Sequence, residues 1–350
     1  MKVFQLHVGN KVIKPSSAPN ELYLQRLSFE EDKKCYYLKH DIANADSQMQ
    51  SLMKKGVAIE YGHFSDRKSL RSLYHAGKRL RKICKEKQIG LVHVFWGTTT
   101  ALTAVLFSPV PVIISFSGSD LIGNVGPDGR INWSGRISKL LSRISALFAV
   151  KMIVKSSHMR NLLWPFTRRK AVIIPNGVDL SAFKPMEQST AKKLLGWNKN
   201  EKIILFFNGS GAIVKDQPLA EKVFGEVKRQ HADVTLKIIS NVPHEQLVYY
   251  YNAADVMLLT SFHEGSNNSL KEARACNLPI VSVDVGDAKE RLQQVGNSFV
   301  VDSRDPKKIA EKVLKVLKSN KRSDGAKYSG DVSMDYVAKS IIKVYDSLKL

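Results

Sequence analysis

Short apolar runs alternate with segments of helical periodicity along the whole chain. The runs have the length and β-branched content of strands and fall into two series: Lys2–Val8, Leu91–Phe95, Val112–Phe116, Met152–Lys155 and Val172–Ile174, then Lys202–Phe207, Leu236–Ile239, Val256–Leu259, Ile280–Val283 and Phe299–Val301. Apolar strands separated by helices are typical of parallel sheets that are covered on both faces. The pattern therefore predicts an α/β fold with two doubly wound, Rossmann-like domains.

A turn signal, Pro175-Asn176-Gly177, separates the two series of strands. We therefore expect an N-terminal domain over residues 1–175 and a C-terminal domain over residues 176–332, followed by a final helix over residues 333–350. Hydrophobic residues make up 43% of the chain and charged residues 25%, which is typical of globular domains and excludes a disordered chain.

Nothing in the sequence predicts a membrane span or a leader. Residues 88–119 carry no Lys, Arg, Asp or Glu, but Gly97, Pro109 and Pro111 interrupt them, so a strand, a short helix and a second strand are expected. The start, Met1–His7, alternates like a strand and lacks the apolar stretch of a signal peptide. The three cysteines are widely spaced, which favours reduced thiols and a cytoplasmic location.

Positive charge is concentrated in the first half of the chain. The net charge is +22, and residues 1–175 carry 28 basic against 11 acidic residues, whereas the remainder carries 26 against 21. Residues 67–87 place Lys and Arg around an apolar helical face, and the stretch with Ile137, Leu140 and Leu147 does so again before Arg168-Arg169-Lys170. Such helices are typical of contact with an anionic membrane surface, and a solvated helix face is the alternative.

The stretch that carries chemistry follows the predicted strand Val256–Leu259. It reads His263-Glu264-Gly265-Ser266-Asn267-Asn268-Ser269-Leu270-Lys271-Glu272 and leads into a helix. A polar loop that opens a helix presents backbone N–H groups and the positive end of the helix dipole, which together favour anions. Glu264 and Glu272 would both face the carboxyl ends of the strands, where open α/β sheets bind ligands. A helix-start acid and a surface helix residue are the alternatives for these two glutamates.

This stretch resembles the E-x7-E motif of the retaining glycosyltransferases of the GT-B fold, in family 4. The resemblance extends through Tyr249–Val256 before the motif and Pro279–Asp287 after it, and Ile174–Asp179 is similar to the interdomain signature of that family. It covers nearly all of residues 172–305. It implies a GT-B fold, in which two Rossmann-like domains face an interdomain cleft, the first holds the acceptor, the second holds the donor, and the last helix crosses back to the first domain.

The resemblance also implies roles for single residues in the second domain. Glu264 would contact hydroxyls of the donor sugar, Glu272 would bind the nucleotide ribose, and Lys215 would neutralise charge on the leaving phosphate. The other donor-site candidates are the rest of the motif loop and two positions in earlier loops: Gly265, Ser266, Asn267, Asn268, Ser269, Leu270, Ser210 and Asn241. Ser210 stands where the family has an arginine, which removes one cation from the phosphate site.

The first domain is less similar to the family. Gly9 is the single glycine where the family often has a glycine-rich loop, and His93 stands at the first histidine of an H-x-H pattern whose second position is Phe95. Ser117-Gly118-Ser119-Asp120 ends the next strand. These residues are candidates for the acceptor site or the cleft. The alternatives are a buried strand histidine for His93 and a helix cap for Asp120.

The resemblance to family 4 implies a metal-independent, retaining hexosyltransferase without a cofactor. Its co-substrate would be a UDP- or GDP-linked sugar, and its acceptor a glycan or a lipid-diphosphate-linked glycan of cell-surface polysaccharide biosynthesis. The basic first domain would place the protein peripherally on the inner face of the plasma membrane. In place of a metal, Lys215 and the helix N-terminus would carry the positive charge, and the departing phosphate would help to deprotonate the acceptor.

Two other interpretations stay open. GT-B proteins also include sugar-nucleotide epimerases and phosphorylases; the former release an isomerised sugar without an acceptor, and the latter need a pyridoxal cofactor. The net charge of +22 would suit a nucleic-acid-binding protein, but the sequence offers no aromatic stacking platform and no basic recognition motif.

Overall fold

The structure is a computed structural model that describes residues 3–7, 34–38, 43–63, 69–126, 128–209 and 213–348, with the backbone alone described for 3–7, 34–38, 43–46 and 63. The chain divides into two compact units. The first comprises Met1–Asn124, Asn132–Asn176 and Val337–Leu350, and the second comprises Val125–Ile131 and Gly177–Tyr336. Gly9 and Ser210 lie outside the described residues.

The first unit is built on a parallel sheet. Its strands are β1 (Val3–His7), β2 (Lys34–Leu38), β3 (Ala58–His63), β4 (Leu91–Phe95), β5 (Val112–Ser115), β6 (Lys151–Val154) and β7 (Ala171–Ile173). Strands β1 and β2 pair with β3 and β4, and the sheet continues in the order β4-β5-β6-β7, with parallel pairing throughout the described strands.

Helices cover both faces of this sheet. They are α1 (Ala43–Met53), α2 (Leu70–Glu86), α3 (Thr98–Phe107), α4 (Ser119–Ile122), α5 (Trp133–Phe148) and α6 (Ser157–Asn161). Alternate residues of β4 belong to two separate cores, because successive side chains of a strand point to opposite faces. Val92 and Val94 pack with Leu80 of α2 and Ala101 of α3, whereas Leu91 belongs to the core on the other face.

The second unit has its own five-stranded parallel sheet. Its strands are β8 (Lys202–Gly209), β9 (Val234–Ser240), β10 (Val256–Leu259), β11 (Ile280–Val283) and β12 (Phe299–Val301), in the order β12-β11-β10-β8-β9. Its helices are α7 (Gln188–Leu194), α8 (Gln217–Lys228), α9 (Leu247–Ala253), α10 (Asn268–Ala275), α11 (Ala288–Leu292) and α12 (Pro306–Ser319). From β8 the chain first adds β9 on one side and then β10, β11 and β12 on the other side, so the direction of the connections reverses at β8.

The last helix, α13 (Met334–Asp346), belongs mainly to the first unit. It buries Val337, Ile341 and Tyr345 in the same core as Leu52 and Leu91. The residues after Tyr336 therefore complete the hydrophobic core of the N-terminal part of the chain.

The apolar runs locate most strands closely, and β4, β10, β11 and β12 have the expected bounds. Strands β2 and β3 and helix α7 were not expected. Strand β3 reads Ala-Ile-Glu-Tyr-Gly-His, in which polar residues interrupt the apolar ones, and β2 follows a charged stretch. Strand β2 pairs with β3 and β4, and β3 pairs with β1 and β2, so pairing within the sheet rather than local composition makes them strands.

Residues 88–119 form β4, α3 and β5, as the interrupted apolar pattern predicts. Across the part of the chain that the structure describes, every helix is too short or too polar to span a bilayer.

Candidate functional site

The second sheet has a topological switch point between β8 and β10. Strand β9 lies on one side of β8, whereas β10, β11 and β12 follow on the other side. Loops that leave the carboxyl ends of such neighbouring strands diverge, and open α/β sheets bind their ligands there. The short turn Ile213–Lys215 follows β8, and the motif loop follows β10, so both loops begin at this point.

An ion pair joins these two loops. The Lys215 Nζ donates to Glu264 Oε1 at 2.6 Å. The same oxygen accepts hydrogen bonds from Ser261 Oγ at 2.8 Å and from Asn267 Nδ2 at 2.8 Å. The Lys215 and Glu264 side chains are 22% and 14% exposed, so the pair is shielded from most solvent but still accessible. The structure thus brings together two residues that the sequence singled out separately.

The loop that carries Lys215 is fixed by residues around the end of β10. The Thr260 hydroxyl lies 2.9 Å from the carbonyl oxygen of Lys215 and 3.0 Å from that of Asp216. Arg304, which follows β12, donates to the Asp216 carboxylate and, at 2.7 Å, to the Thr260 carbonyl. Arg304 therefore positions the loop of Lys215, a role that no local sequence signal indicated.

Asn267 both starts helix α10 and holds the motif carboxylate. Its side-chain oxygen accepts from the N–H of Leu270 at 2.9 Å, while its amide nitrogen donates to Glu264. The Leu270 amide, which was expected among the anion-binding groups, is therefore already taken by this cap, and the Leu270 side chain lies in the core. Of the first turn, Asn268 and Ser269 remain as candidates, and both are half-buried.

Glu272 is a buried acceptor whose two oxygens are both engaged. Tyr251 Oη donates to Oε2 at 2.8 Å, and His244 Nε2 lies 2.9 Å from Oε1. The hydrogen bond to Glu272 raises the pKa of His244, whose ring also packs on Phe183 at 5.1 Å between centroids. Asn241, the candidate in this region, is exposed in a left-handed turn, and His244 is the side chain that reaches the site. Sequence reasoning missed both His244 and Tyr251.

A network of buried charges lies behind the motif loop. Ser266 Oγ donates to Asp287 Oδ2 at 2.7 Å and accepts from Lys271 Nζ at 3.1 Å. Arg291 Nε donates to the same Asp287 oxygen at 2.9 Å. Lys271 is fully buried, and burial lowers the pKa of its ammonium to about 8. The Ser266 hydroxyl therefore links the loop to this network.

Gly286 makes room for the backbone of Glu264. Its φ is +61°, and a Cβ at this position would lie 3.0 Å from Glu264 Cβ and 3.1 Å from the Glu264 carbonyl oxygen. Both the left-handed backbone and the close approach require glycine. The buried Gly265 continues the loop between Glu264 and Ser266.

In the first unit, His93 is a core residue. It is fully buried, and its ring nitrogens lie 2.6 Å from Tyr345 Oη and 2.7 Å from Ser115 Oγ. Burial, followed by the positive charge of Lys155, holds the pKa of His93 well below its usual value. The structure therefore supports the alternative of a buried strand histidine and not an exposed cleft residue.

This burial predicts how stability depends on pH. The unfolded chain binds a proton at His93 as the pH falls below the ordinary value of 6.5, whereas the folded chain does not. The free energy of unfolding should therefore fall with decreasing pH from about 6.5, by up to about 1.4 kcal/mol per pH unit. Denaturant unfolding over a pH series measures this slope. His93→Gln should reduce it, whereas the exposed His75→Gln should not; equal slopes in both variants would contradict the assignment.

Asp120 organises the loops at the carboxyl ends of β4 and β5. Its buried carboxylate accepts the N–H groups of Gly97 at 2.8 Å, Ser117 at 3.1 Å and Gly118 at 2.8 Å. Burial raises the pKa of Asp120, although these N–H groups act in the opposite direction. The carboxylate thus holds the loop in which Ser119 begins helix α4, and a contact of Asp120 with a substrate stays a prediction.

Two family models match successive parts of the chain. Residues 41–182 match the model "Glycosyltransferase Family 4", and residues 188–331 match the model "Glycosyl transferases group 1". The first match ends shortly after the boundary at Asn176, and the second begins beyond it.

Curated relatives align mainly over half of the chain. D-inositol 3-phosphate glycosyltransferase of Geodermatophilus obscurus is 26% identical over 212 residues, which are 51% of this chain and 47% of the relative. A Bacillus subtilis protein named for teichuronic acid biosynthesis, the glycosyltransferase TuaC, is 25% identical over 215 residues, or 56% of this chain and 53% of the relative. The chain thus spans about half the length of these curated relatives.

Solved structures share the fold over nearly the whole chain. Sucrose-phosphate synthase of Thermosynechococcus elongatus superposes with a TM-score of 0.67 at 15% identity, covering 87% of this chain and 92% of the other. Anabaena HepE, solved in complex with UDP-glucose, superposes with a TM-score of 0.63 at 14% identity, covering 85% and 88%. At this identity the likeness concerns the fold alone, and together with the two parallel-sheet units it confirms the GT-B fold.

Proposed function

The chain belongs to the glycosyltransferases of the GT-B fold, with a Glycosyltransferase Family 4 domain ahead of a Glycosyl transferases group 1 domain, and on this basis we propose that it transfers a hexose from a nucleotide-diphosphate sugar with retention of configuration. The observation that carries the proposal is the Lys215–Glu264 pair at the switch point of the second sheet. A cation for the phosphate and a carboxylate for sugar hydroxyls are the two groups that such a donor requires.

Lys215 and Glu264 would exchange partners when the donor binds. A diphosphate presents more negative charge than one carboxylate, so the Lys215 ammonium would turn from Glu264 to the phosphate. Ser261 and Asn267 would keep Glu264 in place, because both donate to the same oxygen. Glu264 could then accept a hydrogen bond from a sugar hydroxyl in place of the one from Lys215.

The transfer step would need no side chain as a base. The acceptor oxygen would approach the anomeric carbon from the face that the phosphate leaves, so the new bond forms where the old one breaks. The acceptor proton would pass to the departing phosphate oxygen. Lys215 would stabilise the charge on that phosphate where it develops, together with the first turn of α10, and no divalent metal takes part in this scheme.

Donor binding gives the direct test. We expect one member of a panel of UDP- and GDP-linked sugars to raise the Tm of the wild-type protein. Glu272→Ala should weaken that binding about 10- to 100-fold, which is the loss of one charge-assisted hydrogen bond to the ribose of about 1.5–3 kcal/mol. Isothermal titration measures the affinities.

The exposed Glu311 on α12 provides the control for this experiment. Glu311→Ala should bind the donor as the wild type does. If no nucleotide sugar changes the Tm, or if Glu272→Ala binds as tightly as Glu311→Ala, the donor site is elsewhere.

For the acceptor we propose a glycan that carries a phosphate or a lipid diphosphate, in cell-surface polysaccharide biosynthesis on the cytoplasmic side of the membrane. The excess of 28 basic over 11 acidic residues in residues 1–175 supports a negatively charged acceptor, and the similarity to TuaC supports the pathway class. Transfer assays with phosphorylated and dephosphorylated forms of one glycan test whether the acceptor must carry a phosphate. We expect transfer to the phosphorylated form only. An isomerised sugar released without any acceptor would indicate an epimerase instead.

A further inference from the structure

Helix α5 buries its small residues and exposes its large apolar ones. Gly135, Ser142, Ser145 and Ala146 form its buried face. Ser142 and Ser145 contact helix α3, where Ser142 Oγ accepts from the N–H of Thr98 at 3.0 Å. This arrangement reverses the usual amphipathic pattern, in which the apolar face points to the core. Ile137 and Leu140, which the sequence places on the apolar side of this helix, are therefore exposed.

The exposed face of α5 is a continuous apolar stripe. Trp133, Ile137, Leu140 and Phe148 are 73%, 44%, 51% and 57% exposed. Their successive spacings of four, three and eight residues put them on one side of a helix. A helix of this length extends about 24 Å, so the stripe offers a long, flat apolar edge. Large exposed apolar patches mark interaction surfaces or aggregation sites.

The segment that forms this stripe is rich in positive charge. Residues 129–178 contain ten Lys or Arg and no Asp or Glu. Lys170 Nζ donates to the carbonyls of Leu147 and Ala149 at the end of α5, at 2.9 and 3.0 Å, so the segment before β7 lies beside the helix. Burial, followed by the charge of Arg143, lowers the pKa of Lys139. Burial, followed by the charge of Arg169, lowers the pKa of Lys170. The same segment exposes Phe166 by 63%.

We propose that this α5 surface, formed by Trp133, Ile137, Leu140, Phe148 and Phe166 with the flanking Lys and Arg, docks the protein on an anionic lipid bilayer. The stripe would enter the boundary between headgroups and acyl chains, and the cations would lie among the phosphates. This docking does not depend on the proposed sugar transfer, because it uses none of the residues of the switch-point site.

Charge and side-chain chemistry favour lipid over two other occupants. A second copy of the chain would bring two surfaces without carboxylates together, and their like charges would repel. Nucleic acid would be attracted by the charge, but single strands are held by aromatic stacking, and Ile137 and Leu140 cannot supply it. An anionic bilayer satisfies both the apolar stripe and the cations.

Co-sedimentation of the full-length protein with vesicles tests the proposal, without any nucleotide sugar present. We expect binding to vesicles of equal parts phosphatidylcholine and phosphatidylglycerol, and little binding to phosphatidylcholine alone. The double variant Ile137→Gln/Leu140→Gln should weaken binding about tenfold or more. The double variant Arg136→Gln/Arg169→Gln should weaken it about fivefold for each charge removed.

Matched controls lie on the second unit, where Leu194 is 62% exposed and Lys318 is exposed on α12. Leu194→Gln and Lys318→Gln should bind vesicles as the wild type does, and circular dichroism should show that every variant is folded. Vesicles should also shift the fluorescence of the wild type to shorter wavelength, and Trp133→Phe should remove most of that shift.

Three results would overturn the proposal. One is equal binding to neutral and anionic vesicles, and another is unchanged binding in both double variants. The third is a dimer, or a complex with RNA or DNA, that Ile137→Gln/Leu140→Gln abolishes while vesicle binding persists. Because donor binding is measured separately, failure here leaves the proposed transfer untouched.

Discussion

Replacing Lys215 by alanine should lower the kcat of sugar transfer about 100- to 1,000-fold, which is the range for removing one group that stabilises charge in a transition state. The effect should lie near the upper end, because Ser210 stands where the resemblance to family 4 implies an arginine, so Lys215 would have one cation fewer to share the phosphate with. The KM for the donor should change less, since Glu272, which is expected to bind the ribose, lies on helix α10 and is left in place. Steady-state kinetics with the donor found by thermal shift measures both parameters.

Two further variants serve as controls for the Lys215→Ala experiment. Lys222→Ala removes an exposed lysine of helix α8 and should leave kcat unchanged. Lys215→Arg keeps the charge and should recover part of the rate. Stability must be compared as well, because Lys215→Ala leaves Glu264 with Ser261 and Asn267 as its partners. A loss of less than tenfold in a folded Lys215→Ala protein would falsify the assigned role.

Removing the Asp287 carboxylate should destabilise the second unit by about 3–5 kcal/mol, the usual effect of breaking a buried ion pair. Asp287 is 2% exposed and lies between Ser266 and Arg291, with the charge of the buried Lys271 close by. Without Asp287, Lys271 and Arg291 stay largely buried but lose the negative charge next to them. Urea denaturation of Asp287→Ala, followed by circular dichroism, measures the loss.

The chain contains a matched surface pair for comparison. Asp284 and Lys289 are 45% and 61% exposed in their side chains and lie 3.2 Å apart, so Asp284→Ala should cost less than about 1 kcal/mol. Combining Asp287→Ala with Lys271→Met should recover part of the loss, because the buried ammonium is then gone as well. Equal losses for Asp284→Ala and Asp287→Ala would show that the buried charges are not coupled.

Local pattern alone determined much of the architecture. Strands buried on both faces read as continuous apolar runs, so Leu91–Phe95 and Val256–Leu259 could be located to the residue. The motif loop, its capping Asn267 and the helix after it also follow from neighbouring residues. Lys215 and Glu264 were found by their resemblance to a family motif, and the structure places them 2.6 Å apart. Their roles in transfer stay predictions that the variants above test.

Tertiary structure decided what surrounds these residues. Tyr251 and His244 contact Glu272, and Asp216 contacts Arg304, because strand order brings together chain segments that are 21 to 88 residues apart. The same holds for Asp120 and His93, whose burial depends on which helices cover the sheet ends. The apolar residues of α5 repeat at helical spacing like those of a core helix, yet the small residues opposite them pack closely on α3 and leave Ile137 and Leu140 exposed. Periodicity shows that a helix has two faces; which one is buried depends on the shape of the layer it packs against, and that shape exists only in the folded chain.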